Sequence, residues 1–226
     1  NYVKMAEISS KFPDKVAQAE EYFNKVIEMD TVTANRVQYA TAASNMYKKI
    51  KDYAHSADWL TRILTYKPNY GKIDLYYAGW ENFAADKYTT ADSVATLYKA
   101  KYPDDLQGYY LAFRTKWSAD TAGITSGQPS AEPVEDATKF ISLAEADKAK
   151  YKQSLLLAYG FMAGYSANTL KEYDPAIEYL EKIVELDPSN VDAQNNLTIL
   201  KKAKERPAPK SGNANKSGGA AKPANK

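Results

Sequence analysis

The 226-residue chain has no cysteine and a single histidine, His55. Without cysteine there are no disulfides and no thiolate chemistry. A metal centre or a Ser-His-Asp site would need His55 in a cleft with partners, and none is visible in the sequence. Two residues after Tyr53, at the start of a predicted helix, it reads as a surface or packing residue. No apolar run approaches the roughly 20 residues of a membrane span. Phosphate loops, dinucleotide fingerprints and zinc-protease helices are missing as well. Carboxylate pairs such as Glu20-Glu21 and Asp104-Asp105 read as solvated faces and helix-start charges rather than acid/base dyads. The expectation is a protein that is not an enzyme and that takes no cofactor and no metal.

Positive charge on the body is also short. The formal net charge is +2, but five of the 30 basic residues lie from Arg206 onward, where there is no acid. The rest of the chain carries 25 basic against 28 acidic residues. A nucleic-acid protein usually spreads positive charge over a folded face, so no nucleic-acid partner is expected. Lys48-Lys49 and Lys201-Lys202-Lys204 read as solvated helix ends whose cations complement the helix dipole. The last residues, PAPKSGNANKSGGAAKPANK, use only Pro, Ala, Lys, Ser, Gly and Asn. That composition cannot bury a core, and 206–226 is expected to be a disordered basic tail. The chain begins at Asn1 rather than Met. An exported, periplasmic bacterial protein is expected over a cytoplasmic one.

What the chain has in quantity is tyrosine, 19 residues against 6 Phe and 3 Trp. A ring with a polar tip suits both helix packing and half-exposed binding surfaces. Three segments align without gaps: KDYAHSADWLTRILTYKPN, DKYTTADSVATLYKAKYPD and KEYDPAIEYLEKIVELDPS. Each has a Tyr, a small residue three later and a Pro twelve beyond that. The triplets are Tyr53-Ser56-Pro68, Tyr88-Ala91-Pro103 and Tyr173-Ala176-Pro188. Each segment reads as the second helix of a hairpin, with apolar residues such as Leu60, Ile63 and Leu64 at helical spacing. The small residue admits a neighbouring backbone, and the Pro ends the helix. Asp174-Pro175 reads as an N-cap followed by Pro at the first helical position. Further helical stretches precede the tyrosines, at 36–50, 72–85 and 151–170. Ser44, Gly79 and Gly164 stand nine residues before the Tyr, at an expected close contact.

This pattern resembles the tetratricopeptide repeat family over roughly residues 1–205, with KEYDPAIEYLEKIVELDPSN nearest its consensus. The usual aromatic of the first helix is replaced by Ala40, Leu75 and Gly160. The resemblance implies an all-α, right-handed α-α superhelix of about five hairpins, at 1–33, 36–70, 71–105, 106–147 and 151–190, with a cap at 191–205. In the opening hairpin Ala19 and Phe23 take the small and large packing places, and Thr31 replaces the closing Pro. In the fourth, the second helix arrives late, at 134–146 with Ala137, Ile141 and Ala144. The intervening 118–133, with Gly123, Gly127, Pro129 and Pro133, is expected to be a long irregular loop.

Family members line a concave face with their first helices, and partners lie there. Carried onto this chain, the face gathers Tyr76, Trp80 and Phe83, at i, i+4 and i+7 of one helix. The equivalent places hold Phe161, Tyr165 and Asn168 in the fifth hairpin and Thr41, Asn45 and Lys48 in the second. In the fourth they hold Leu111, Thr115 and Ser118. The expected peptide-binding set is therefore Tyr76, Trp80, Phe83, Phe161, Tyr165, Asn45, Lys48 and Asn168. The family's carboxylate-gripping cluster of Lys, Asn and Arg is not reproduced. The implied function is a scaffold or adaptor for a protein or peptide segment. The alternative is a structural subunit that self-associates through exposed aromatics.

Overall fold

Two turns, each used three times, set the architecture of the computed structural model, which describes residues 2–205. The first turn follows α4 (Tyr53–Tyr66), α6 (Tyr88–Lys101) and α11 (Tyr173–Leu186). In each the closing Pro is the second residue, a position its fixed φ favours. The turn closes with Tyr70 N donating to Lys67 O at 3.2 Å, Asp105 N to Tyr102 O at 3.0 Å and Asn190 N to Asp187 O at 3.1 Å.

The second turn joins the two helices of a hairpin. It follows α3 (Thr33–Lys49), α5 (Lys72–Ala84) and α10 (Lys152–Gly164, extended by a π turn over Tyr165–Leu170). Lys51, Asp86 and Lys171 take the left-handed conformation there, at φ of 63°, 57° and 62°, each two residues before the repeat's Tyr. The next amide then reaches back to an unpaired helix carbonyl, as in other left-handed helix ends. Asp52 N bonds Tyr47 O and Lys87 N bonds Asn82 O, each five residues back. Glu172 N bonds Ser166 O, six back. The fifth hairpin thus carries one extra residue, and the π turn absorbs it.

The remaining helices are α1 (Tyr2–Ser9), α2 (Val16–Met29), α7 (Leu106–Ala119), α8 (Thr121–Ser126), α9 (Val134–Ala144) and α12 (Val191–Glu205). No strand occurs among the described residues. Helices pair as α1/α2, α3/α4, α5/α6, α7/α9 and α10/α11, and α12 lies on α11. Neighbouring hairpins join through α2 on α3, α4 on α5 and α6 on α7. The small residues Ser56, Ala91 and Ala176 are fully buried. Ser56 Oγ bonds Ser44 Oγ at 2.9 Å across the α3/α4 contact. Ala19 and Phe23 are buried in α2, and Ala137, Ile141 and Ala144 in α9. His55 stacks on Tyr47 at 4.9 Å and bonds Asp52, a packing role.

Three expectations change. Asp174 is not a cap: α11 begins at Tyr173, its cap Glu172 makes no side-chain bond, and Asp174 and Pro175 lie in the first turn. The segment 118–133 is not simply a loop, because α7 runs to Ala119 and α8 fills 121–126. Asp120 organises it, accepting from Gly123 N at 2.8 Å and Ser130 N at 2.7 Å. Those amides, Ser130's foremost, hold its carboxyl below the usual range. Thr169 Oγ1 of the π turn donates to Pro129 O at 2.7 Å and fastens the segment to the fifth hairpin. Gly164 makes no close contact, since a Cβ there would meet open space. Across the π turn the equivalent residue is Ala163, which is buried.

The late helix α9 is anchored by a buried charge. Asp136, 2% exposed, receives Lys99 of α6 at 2.5 Å and Lys116 of α7 at 2.7 Å. A buried carboxylate is tolerable only when paired in this way. Among the described residues no helix is long and apolar enough to cross a membrane. The expected tail at 206–226 lies outside the described residues.

Candidate binding groove

The face of the first helices opposite their packing side is built from α5 and α7. Helix α5 starts at Gly71, whose amide donates to Asp74 Oδ2 at 2.7 Å. It buries Leu75, Ala78, Gly79 and Asn82; Tyr76 is exposed, while Trp80 and Phe83 are half-buried and pack against Ala95, Leu111 and Ala112. Helix α7 starts at Asp105, whose carboxylate accepts from Gln107 N at 3.0 Å. Counted from these two caps, Tyr76, Trp80 and Phe83 correspond to Tyr110, Arg114 and Trp117. From cap to cap, Gly71 to Asp105, is 34 residues.

Counting from the prolines instead gives Leu111, Thr115 and Ser118, and that register is wrong. The cap is the third residue after Pro68 but only the second after Pro103. Helix α7 therefore enters one residue early, a turn of about 100° about its axis. Leu111 and Thr115 are buried accordingly. The cue was present in the sequence, since Tyr110, Arg114 and Trp117 repeat the i, i+4, i+7 spacing of the α5 stripe.

The rings form one connected surface. Trp80 lies 6.3 Å from Tyr76, 5.4 Å from Phe83 and 5.6 Å from Tyr110, all between centroids. Tyr110 continues to Phe140 of α9 at 4.7 Å. The Arg114 guanidinium sits 5.2 Å from the Phe83 ring centre and donates to the Tyr110 hydroxyl at 3.3 Å. Among the described residues no carboxylate pairs with it. Tyr76, Trp80, Gln107, Tyr110, Arg114 and Tyr151 are the principal walls of a groove of about 330 Å³.

The other expected residues fall elsewhere. Phe161 is 2% exposed, packed against Phe113 at 5.3 Å and Trp117 at 5.4 Å, so it belongs to the core and not to an open face. Tyr165 is half-buried and stacks on Phe161. Asn168 lines a second groove of about 470 Å³ between α10 and α12, away from the aromatic one. The cause is the extra residue of the π turn. Corrected for it, the α10 stripe equivalent to Tyr76, Trp80 and Phe83 is Gly160, Gly164 and Ala167, and all three border that second groove. The same correction puts buried Tyr159, not Gly160, at the family's missing first-helix aromatic. Asn45 is exposed on α3 and does not line the aromatic groove. Lys48 is held in an ion pair with Glu81, beside Trp80.

The comparisons with known proteins agree on the class. Residues 161–190 match the family model described as a tetratricopeptide repeat. The chain is similar in structure to the C-terminal part of a TPR repeat-containing protein from Cytophaga hutchinsonii, at 19% identity and a TM-score of 0.63, covering 83% of this chain and 70% of that one. It is also similar to MamA (41 to end) from Desulfovibrio magneticus RS-1, at 16% identity and a TM-score of 0.50, covering 84% of this chain and 95% of that one. No curated protein matches it. In fold the chain is a tetratricopeptide repeat solenoid.

Proposed function

We propose that the protein is a non-catalytic scaffold or adaptor that holds a segment of another protein against α5 and α7, with Tyr76, Trp80 and Phe83 at the centre of contact. The observation that carries this is the connected ring surface from Tyr76 to Tyr110, which leaves Tyr76 39% exposed although α5 already has a separate buried face. Large solvent-facing apolar patches on soluble proteins mark interaction sites, and Trp, Tyr and Arg dominate contact energies when desolvated. Tyr110 and Arg114 join the set, and Lys48 contributes through its pair with Glu81. Truncating Trp80 to Ala should weaken partner binding by about 2 kcal/mol with helix content unchanged. Unchanged partner capture by a folded Trp80→Ala protein would move the site elsewhere.

A second reading, self-association, draws on the first hairpin. Tyr2, Met5, Ile8 and Phe12 are all exposed there. A solution mass of one chain across the working concentration range would eliminate it.

A further inference from the structure

The two ends of the solenoid are finished differently. Within it, α2 packs on α3, α4 on α5 and α6 on α7. Among the described residues, α1 has no helix before it and α12 has none after it. Stacked repeats stay soluble when such end faces are polar. That holds for α12, whose exposed Val191 and Ile199 are set among exposed Gln194, Asn195, Thr198 and Lys202. It fails for α1. Tyr2, Met5 and Ile8 stand three residues apart along the helix and Phe12 continues the line, each at least 38% exposed.

The charges around this apolar line are also left over. Every ion pair among the described residues lies beyond residue 47. The first hairpin nevertheless carries exposed Lys4, Lys11, Lys15 and Lys25. Against them stand Glu7, Asp14, Glu21 and Glu28, equally exposed. Lys15 lies 5.2 Å from the Phe12 ring centre and Lys25 5.4 Å from that of Tyr2, so cations border the line directly.

That balance of signs narrows what can cover the face. A partner of one charge sign would meet as many like charges as opposite ones, and like charges brought together are penalised. The C-terminal end offers no matching apolar line, so copies are not expected to stack head to tail. A second first hairpin supplies both an apolar line and each missing sign. Turned by a two-fold axis, it makes the self-complementary, closed contact of a symmetric dimer.

We infer that the first hairpin is a two-fold interface with a second copy of this chain, with Met5 and Ile8 at its centre. This rests on the self-association reading above, gives it a defined surface, and uses no residue of the groove between α5 and α7. The dimer therefore carries two grooves, and a partner with two matching segments gains by engaging both.

The test is sedimentation equilibrium of the full chain from low to high micromolar concentration. The line from Tyr2 to Phe12 is only about 15 Å long, and a small interface of this kind is reversible. The mass should rise from one chain to two and stop there. Ile8→Glu should weaken the dimer at least about tenfold by leaving a charge in the contact. Helix content should stay unchanged, because Ile8 is 57% exposed. Met5→Glu is the second variant, should the first fail to fold. Trp80→Ala should leave the mass as it is. High salt should weaken the dimer by screening the ion pairs formed across it. A single-chain mass at every concentration would overturn the inference and the self-association reading together. A mass climbing past two chains, the sign of head-to-tail growth, would overturn the two-fold contact, and a dimer indifferent to salt would overturn the charge pairing that selects a second copy. A dimer lost on Trp80→Ala but kept in both hairpin variants would overturn the inference alone, moving self-association to the aromatic groove.

Discussion

Helices α5 and α10 occupy the same place in the repeat and present opposite surfaces. The outward stripe of α5 is Tyr76, Trp80 and Phe83; that of α10 is Gly160, Gly164 and Ala167. The sequence of α10 is no poorer in rings, since Tyr159, Phe161 and Tyr165 are all present, but they point elsewhere. The π turn adds one residue between α10 and the Tyr that starts α11, and one residue is about 100° of helix rotation. Rings that would otherwise have faced outward are turned into the seam with α7. The lesson is that a helical repeat conserves its turns while a single inserted residue reassigns every side chain upstream.

The largest expected effect breaks the comparison at its most buried ring. Phe161→Ala should cost about 3–5 kcal/mol, while Tyr76→Ala on α5 should cost under about 1 kcal/mol, as surface substitutions do. Denaturant midpoints of the two variants decide it, and equal midpoints would mean that Phe161 is not in the seam. Next are the two glycines. A Cβ on Gly79 would run into Leu111 Cδ2 of α7, so Gly79→Ala should destabilise by about 1–3 kcal/mol through overpacking. Gly164 has room, and Gly164→Ala should raise the melting temperature, gaining about 0.5–1 kcal/mol of helix propensity. Opposite signs at these two sites would establish the shifted register.

A middle-sized effect concerns the segment that the π turn fastens. Replacing Asp120 with Ala should cost about 0.5–2 kcal/mol, the range for a lost cap. The pH dependence has a definite sign. The Asp120 carboxyl is held below its ordinary value, so its contribution is present above the unfolded-state value and is lost as pH falls through the folded one. Protection factors of the Gly123 and Ser130 amides, corrected for the intrinsic pH dependence of exchange, should fall on acidification below the usual carboxylate range, with those of α5 unchanged. The smallest effect sharpens the closing turns. Ser189→Ala, one residue beyond Pro188, should change stability by less than about 0.5 kcal/mol, in contrast to the about 1–3 kcal/mol expected for Ala176→Leu at a fully buried contact of the same hairpin.

What the sequence made legible was local. The triplets Tyr53-Ser56-Pro68, Tyr88-Ala91-Pro103 and Tyr173-Ala176-Pro188 each fall within one helix and its closing turn, where spacing translates directly into geometry. The Tyr76 stripe could be read the same way. The corresponding faces of α7 and α10 could not be transferred from it. One depends on whether a linker holds three residues, as at Asn69-Tyr70-Gly71, or two, as at Asp104-Asp105. The other depends on a π turn that leaves no mark in composition. Asp120 was hidden because its partners, Gly123 and Ser130, are backbone amides, which every residue but Pro has.

The buried Asp136 carries a consequence for how the molecule assembles. Its carboxylate becomes tolerable in the interior only once Lys99 and Lys116 flank it, and these belong to two successive hairpins. Helix α9 is therefore seated on the seam between α6 and α7 by charge as well as by packing. The late second helix of the fourth repeat is thus tied to two hairpins through one carboxylate, and loss of either lysine would leave that buried charge short of a partner.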